Sequence, residues 1–202
     1  MAPRSKTRLS RALGIPLTPK STRYFERRPY PPGVHGRRRR KTSDYQLRLL
    51  EKQRLRHQYD LGEKQLRRTF AEALRRPGKT GENLVELLER RLDAFVLRSG
   101  FARTIYQARQ LVVHGHLTVD GRKVDRPSYR LRPGEIVEVR ESSRDKTPFV
   151  LAAAGAYALD GPARPYLDVQ LPELRASLVR EPLRREVPVI CDEQLVVEFY
   201  SR

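Results

Sequence analysis

Phe101 to Val124 reads FARTIYQARQLVVHGHLTVDGRKV. Thr104 and Gln107 form a capping-box pair: the hydroxyl accepts from an early backbone N–H, and the amide reaches back to the cap's own N–H. Ala108, Leu111 and Val112 recur at helical spacing, and Gly115 supplies the positive φ that ends a helix. Leu117 and Val119 alternate with polar neighbours, Asp120-Gly121 is a two-residue hairpin signal, and Val124 lies on the return strand. The expected frame is a capped helix, a glycine stop and a tight hairpin. Around Thr104 it leaves Arg103, Gln107, Arg109, Gln110, His114, His116, Arg122 and Lys123 facing outward, with Asp120 the only acid close by. A donor-rich face on a rigid frame suits phosphates and base edges, which points to nucleic acid.

Charge supports the same direction. The 202 residues carry a net +18, far more than solubility requires, and the length allows one or two domains with a proper core. Residues 1–41 hold 13 Lys and Arg against the single acid Glu26, so the chain reads as a basic arm ahead of a nearly balanced body. Arg outnumbers Lys 34 to 8, which favours bidentate phosphate contact, although a GC-rich coding sequence gives the same bias. Cys191 is the only cysteine, so no intrachain disulfide framework exists. The apolar run Phe149 to Leu159 is too short to span a bilayer, and no apolar stretch follows the charged N-terminus. The expectation is a cytoplasmic chain with no membrane contact.

In chain order, residues 1–28 are sparse in apolar side chains and punctuated by Pro3, Pro16 and Pro19; they read as irregular and ordered by their partner, the start of a basic N-terminal arm over 1–42. Pro29-Tyr-Pro-Pro-Gly-Val-His-Gly is a turn-rich segment, followed by the cations Arg37, Arg38, Arg39, Arg40 and Lys41. In isolation such a run is better explained by a solvated tail or a localisation signal, but the flanking pattern points to phosphate contact. Ser43 and Gln46 make a second capping box, and a helix from Asp44 to about Gln58 turns Leu47, Leu50 and Leu55 to a core. Arg48, Lys52, Arg54 and Arg56 fall largely on its other sides. After Gly62, a helix with Leu66, Phe70, Ala73 and Leu74 is expected, then a connector, Arg76-Pro-Gly-Lys-Thr-Gly. The connector lacks the spacing of a nucleotide-binding loop. A third helix spans Glu82 to Ser99, and Tyr129 with Leu131, then Ile136 to Val139, read as strands. Tyr45 and Tyr59 are assigned to the core rather than to base stacking. Six prolines interrupt residues 141–190, where Leu171 to Leu178 has room for one or two strand pairs. The apolar block Leu195 to Tyr200 reads equally as a helix capped by Asp192 or as a buried strand, and must dock on a core.

Phe101-Ala-Arg-Thr, Ala108-Arg-Gln-Leu-Val, His114-Gly-His and Val119-Asp-Gly-Arg-Lys-Val resemble an RNA-binding domain named after small-subunit ribosomal protein four. That domain also occurs in RNA-modifying enzymes, tRNA synthetases and heat-shock proteins. Arg28-Pro-Tyr-Pro-Pro-Gly-Val-His-Gly, Ser43-Asp-Tyr through Glu51-Lys-Gln-Arg, and Glu193-Gln-Leu-Val-Val-Glu-Phe-Tyr-Ser-Arg extend the similarity to the bacterial ribosomal protein four family itself. The resemblance implies an α+β fold. A helical domain, residues 43–95 completed by 180–202, is interrupted by an inserted RNA-binding domain, 96–150, with 151–179 a connecting segment. It implies a structural, non-enzymatic protein of the small ribosomal subunit that nucleates assembly on the 5′ domain of its rRNA. The neighbours it implies are ribosomal proteins three and five and mRNA where that strand enters, with an influence on translational accuracy. RNA contact would then involve Arg37 to Lys41, the four cations of residues 48–56, and the outward set of the helix–hairpin frame. Zinc-binding relatives carry cysteines in the arm that this chain lacks, so neither metal nor cofactor is expected. An RNA-modifying enzyme would need a catalytic constellation that the remaining sequence does not offer.

Overall fold

The computed structural model describes residues 5–38, 41–157 and 164–201, so Arg39 and Arg40 lie outside the described residues. The chain divides into two compact units, Met1–Ala71 with Val189–Arg202, and Glu72–Pro188. The class is α+β, and among the described residues the sheet is confined to the second unit. No helix among the described residues is long and apolar enough to cross a membrane.

The basic arm is helical where an irregular chain was expected. Helix α1 (Lys6–Leu13) ends at Gly14, whose φ of +69° forms the left-handed stop. Helix α2 (Pro19–Arg27) starts behind Thr18, whose hydroxyl accepts from the Ser21 N–H at 3.2 Å. Few apolar residues are needed, because Leu13 and Ile15 are both buried and the arm leans on helix α3 (Asp44–Gln58). Arg54 of α3 donates to the Leu13 carbonyl at 2.8 Å, closing the C-terminus of α1 from 41 residues away. Sparse hydrophobicity had concealed helices fastened by caps and a distant guanidinium.

The Ser43–Gln46 capping box of α3 forms both bonds, at 3.3 Å each. Leu55 and Tyr59 are fully buried, whereas Leu47 and Tyr45 are exposed, so the apolar stripe of α3 is covered only along its C-terminal half. Helix α4 (Glu63–Arg75) buries Leu66, Phe70 and Ala73 and exposes Leu74. At about 100° per residue, Leu74 has rotated about 80° from Leu66, off the covered stripe.

In the second unit the single helix expected over 82–99 is two, α5 (Thr80–Glu89) and α6 (Leu92–Arg98). The break at Arg90-Arg91 is imposed from afar. Leu92 N–H donates to the Tyr129 carbonyl at 2.8 Å, Leu131 N–H donates to the Arg90 carbonyl at 2.8 Å, and Arg91 bridges Arg130. Tyr129 and Leu131 therefore belong to a strap across the break, with a single bridge in place of the expected strand. Helix α7 (Ile105–Val113) precedes strands β1 (Leu117–Val119), β2 (Arg122–Lys123) and β3 (Ile136–Val139). Helices α8 (Glu141–Arg144) and α9 (Thr147–Ala153) follow, then β4 (Leu167–Gln170) and β5 (Arg175–Leu178). The five strands form one antiparallel sheet in the order β2-β1-β3-β5-β4. Its inner face, with Leu117, Val119, Val137, Val139, Ala176 and Leu178, packs with Phe95, Val96, Phe101, Ala108, Leu111 and Val112 of the helical segments. Phe149, Ala152 and Tyr166 complete that core.

The domain boundaries thus differ from those expected at 95/96 and 150/151. Residues 72–95 fold with the sheet unit because Leu92 and Phe95 lie in its core, and residues 151–179, expected to connect, contribute two of its strands. The first unit is completed at its end by helix α10 (Glu193–Tyr200), which resolves the helix-or-strand ambiguity. Asp192 caps it, accepting from the Gln194 N–H at 3.0 Å. It packs on α3, with Val196 buried, and the Tyr200 ring lies 4.8 Å from that of Phe70. The Gln58 amide ties the approach, donating to the Ile190 carbonyl at 2.9 Å and accepting its N–H at 3.0 Å.

Candidate nucleic-acid interface

The site begins with the capping of α7. The Thr104 hydroxyl accepts from the Gln107 N–H at 3.2 Å. The Gln107 amide oxygen reaches one residue beyond the cap and accepts from the Arg103 N–H at 2.9 Å. Thr104 and Gln107 are thus structural in their polar contacts, and their effect is to hold the backbone of exposed Arg103 at the helix start. At the other end Gly115, with φ +68°, completes a Schellman closure: its N–H donates to Val112 at 2.8 Å and the His116 N–H to Leu111 at 3.2 Å. Ile105, Ala108, Leu111 and Val112 are buried, which aims the opposite side of α7 at solvent.

Asp120 and Gly121, with φ +47° and +76°, make the two-residue turn between β1 and β2. The Asp120 carboxylate accepts from the Ile136 N–H at 2.9 Å, so the one acid of the motif is held by β3. Arg122 and Lys123 are exposed. Lys123 lies back over the end of α7: a Cβ built on Gly115 would stand 2.3 Å from its Cε. The hairpin thereby returns a cation to the helix end, where partial negative charge of the carbonyls favours it.

Exposed Arg103, Gln110, His114, Arg122 and Lys123 share this frame. Two expected members behave differently. Arg109 is partly buried, with Nη1 3.8 Å from the Asp93 carboxylate. Asp93 is wholly buried, gripped by Arg91 through bonds of 2.9 and 2.7 Å, and burial raises its pKa despite that partner. Nδ1 of His116 lies 2.9 Å from the Ser143 hydroxyl, and the ring stands edge-on to Phe149. Burial, with Lys146, His114 and Arg140 adding, lowers its pKa. Arg140 and Lys146 were missed by sequence reasoning. Arg140 donates to the Gly115 carbonyl at 3.3 Å, and both are exposed cations acting on His116. Nothing local marks them; the sheet brings them to the end of α7 from 25 or more residues downstream.

The cations of α3 are not displayed as the resemblance implied. Arg48 donates to Glu198 at 2.7 Å, and Lys52, only 5% exposed, to Glu63 at 3.0 Å. Arg54 serves Leu13 and Glu51, and Arg56 donates to the Leu61 carbonyl at 2.9 Å. These four fasten the first unit, because α10, the arm and the α3–α4 turn bring acceptors to them that helical spacing does not show. In the arm, Arg37, Arg38 and Lys41 are exposed.

A family model described as the ribosomal protein S4/S9 N-terminal domain matches residues 2–89, and one described as the S4 domain matches residues 90–137. The chain is 63% identical to the small ribosomal subunit protein uS4 of Streptomyces griseus over 199 residues, 98% of each chain. It is equally similar to uS4 of Streptomyces coelicolor, at 63% over 200 residues, covering 99% of this chain and 98% of the relative. For uS4 of Micrococcus luteus the identity is 63% over 201 residues, covering 98% and 97%.

Proposed function

The chain belongs to the small ribosomal subunit protein uS4 family, and from that premise we propose that its α7–hairpin face is the main surface by which it grips small-subunit rRNA. As a member of that family it is a structural component of the small ribosomal subunit, in the cytoplasm in bacteria, and not an enzyme. The S4 domain carries the implication of rRNA binding.

The observation that supports the assignment is the arrangement of Arg103, Arg122 and Lys123, with the His114 ring as a further polar group, around a rigid frame whose only acid, Asp120, is engaged by a backbone N–H. Cations held this way contact phosphates on adjacent strands and fix their mutual angle, so shape and backbone charge dominate over base readout. Gln110 and Arg109 add donors on the same helix, and Thr104, Gln107 and His116 act by holding the frame. Arg37, Arg38 and Lys41 extend contact from the arm. The four α3 cations belong to the fold rather than to the RNA. The finer role follows the family: early assembly on the 5′ domain of the rRNA, beside ribosomal proteins three and five where mRNA enters, with an effect on translational accuracy.

The test is sedimentation of the endogenous protein. It should remain with the small subunit through a high-salt wash and leave when the rRNA is digested. Recovery in the soluble fraction after the wash, with intact subunits, would refute the assignment.

A further inference from the structure

Beyond the helix–hairpin frame, the arm contains a second constellation. Nε of Arg11, on α1, donates to the carbonyls of Arg28 and Tyr30 at 3.1 and 3.0 Å, and its Nη2 donates to that of Pro31 at 3.4 Å. One guanidinium therefore clasps three carbonyls of the Arg28–Pro31 stretch. The same turn closes on itself at Gly36, where a Cβ would stand 2.0 Å from the Pro31 carbonyl oxygen and only glycine fits. The closure carries Arg37 over Tyr30: its guanidinium carbon is 4.9 Å from the ring centroid, as is that of Arg11. Nη2 of Arg37 donates to the Tyr30 hydroxyl at 3.3 Å.

The charge around this hydroxyl has one sign. Arg37, Arg28 and Arg11 all act on Tyr30, and Glu26 is the only acid among residues 1–41. Among the described residues none of the three arginines forms an ion pair with a carboxylate. The Arg37 hydrogen bond, ahead of the opposing effect of burial, lowers the phenol's pKa, as expected of an oxygen set among cations.

Resting on the rRNA-binding reading above, we propose that the Tyr30 hydroxyl and the Arg37 guanidinium form a clamp for one RNA backbone phosphate, with Arg11 as its positioning residue. A phosphodiester offers two non-bridging oxygens and one negative charge. Arg37 donates its remaining N–H groups to one oxygen. Tyr30, which accepts from Arg37, directs its own O–H to the other. Arg11 donates inward to carbonyls and holds the turn that sets the spacing of the pair, much as an outer-shell group orients a ligand-binding one.

The test measures binding of the full chain to small-subunit rRNA across a salt series. Arg37→Ala should weaken binding about tenfold and lower the slope of log affinity against log salt by about 0.9, one phosphate contact. Tyr30→Phe keeps the ring and every charge, and should weaken binding about threefold with the slope unchanged. Arg11→Ala should match Arg37→Ala, the double variant should be little weaker than either alone, and Arg11→Lys should not restore binding because an ammonium lacks the planar fork. Arg8→Ala, an exposed cation on the same helix, is the control for charge alone and should change affinity less than twofold. The proposal is overturned if Tyr30→Phe binds as the parent does, if Arg8→Ala matches Arg11→Ala, or if the Arg11 and Arg37 losses add. Failure of the underlying reading looks different: the parent chain itself would bind the rRNA no tighter than an unrelated RNA of equal length.

Discussion

Replacing Arg103, Arg122 and Lys123 together by alanine tests the helix–hairpin face most directly. All three are exposed, and among the described residues none has a carboxylate partner, so their removal leaves the fold intact. Arg109 is left in place because it lies 3.8 Å from buried Asp93, and truncating it would perturb the Arg91–Asp93 pair as well. Buried charge-assisted hydrogen bonds are worth up to about 3 kcal/mol each, but at exposed positions about 1 kcal/mol is the better guide. Three such contacts total about 3 kcal/mol, close to a hundredfold in affinity. Three lost phosphate contacts should also lower the salt slope by about 2.7. Filter binding of small-subunit rRNA between low and moderate salt reads both quantities, and thermal unfolding of the free protein checks the fold. The matched control removes Arg75, Arg132 and Arg185, exposed cations of the same unit that likewise form no ion pair among the described residues. Equal weakening in the two triple variants would show that affinity follows net charge, and the site assignment would fall.

Gly115→Ala should destabilise the sheet unit by about 1–2 kcal/mol, because φ is +68° there and the new methyl displaces Lys123; urea unfolding measures the first effect and the salt slope the second. Glu72, held by a hydrogen bond from Arg130, has its pKa lowered from the usual carboxylate value of 4.5. The unfolded chain takes up that proton first as pH falls below about 4.5, so the stability this pair contributes is present above that value and is lost toward the depressed native pKa. Glu72→Gln should therefore show a shallower acid-side loss in unfolding curves taken between about pH 5 and 3. Purified protein should contain no stoichiometric zinc by elemental analysis, since one cysteine cannot supply a structural site of roughly four ligands. About one zinc per chain would contradict the reading of the arm.

Much of the site was legible because its signals are local. Thr104, Gly115 and the Asp120-Gly121 pair act on backbone groups within a few residues, through a cap, a positive φ and a two-residue turn, so the order helix, stop, hairpin follows from the chain itself. The capping box of Ser43 and Gln46 formed for the same reason. The helix cap at Asp192 was also visible, yet Leu195 to Tyr200 kept two readings until the segment's surroundings were known, because the short apolar run suits both periods.

The composition and the motif residues by themselves determined a basic α+β protein of this ribosomal family and a cationic helix–hairpin face. What each cation does was decided by tertiary structure. Arg48 and Arg54 looked like surface charge until α10 brought Glu198 and α1 brought the Leu13 carbonyl. Arg11 looked like part of an irregular arm ordered by its partner until α1 set it against the Arg28–Pro31 carbonyls. The helix over 82–99 breaks where residues 129–131 claim the backbone of Arg90 to Leu92, and no periodicity within the helix records that claim. Backbone preference is set by nearest neighbours and is written residue by residue. A guanidinium's partner or a strap's register depends on which distant segments share a core, and that is fixed only when the chain packs.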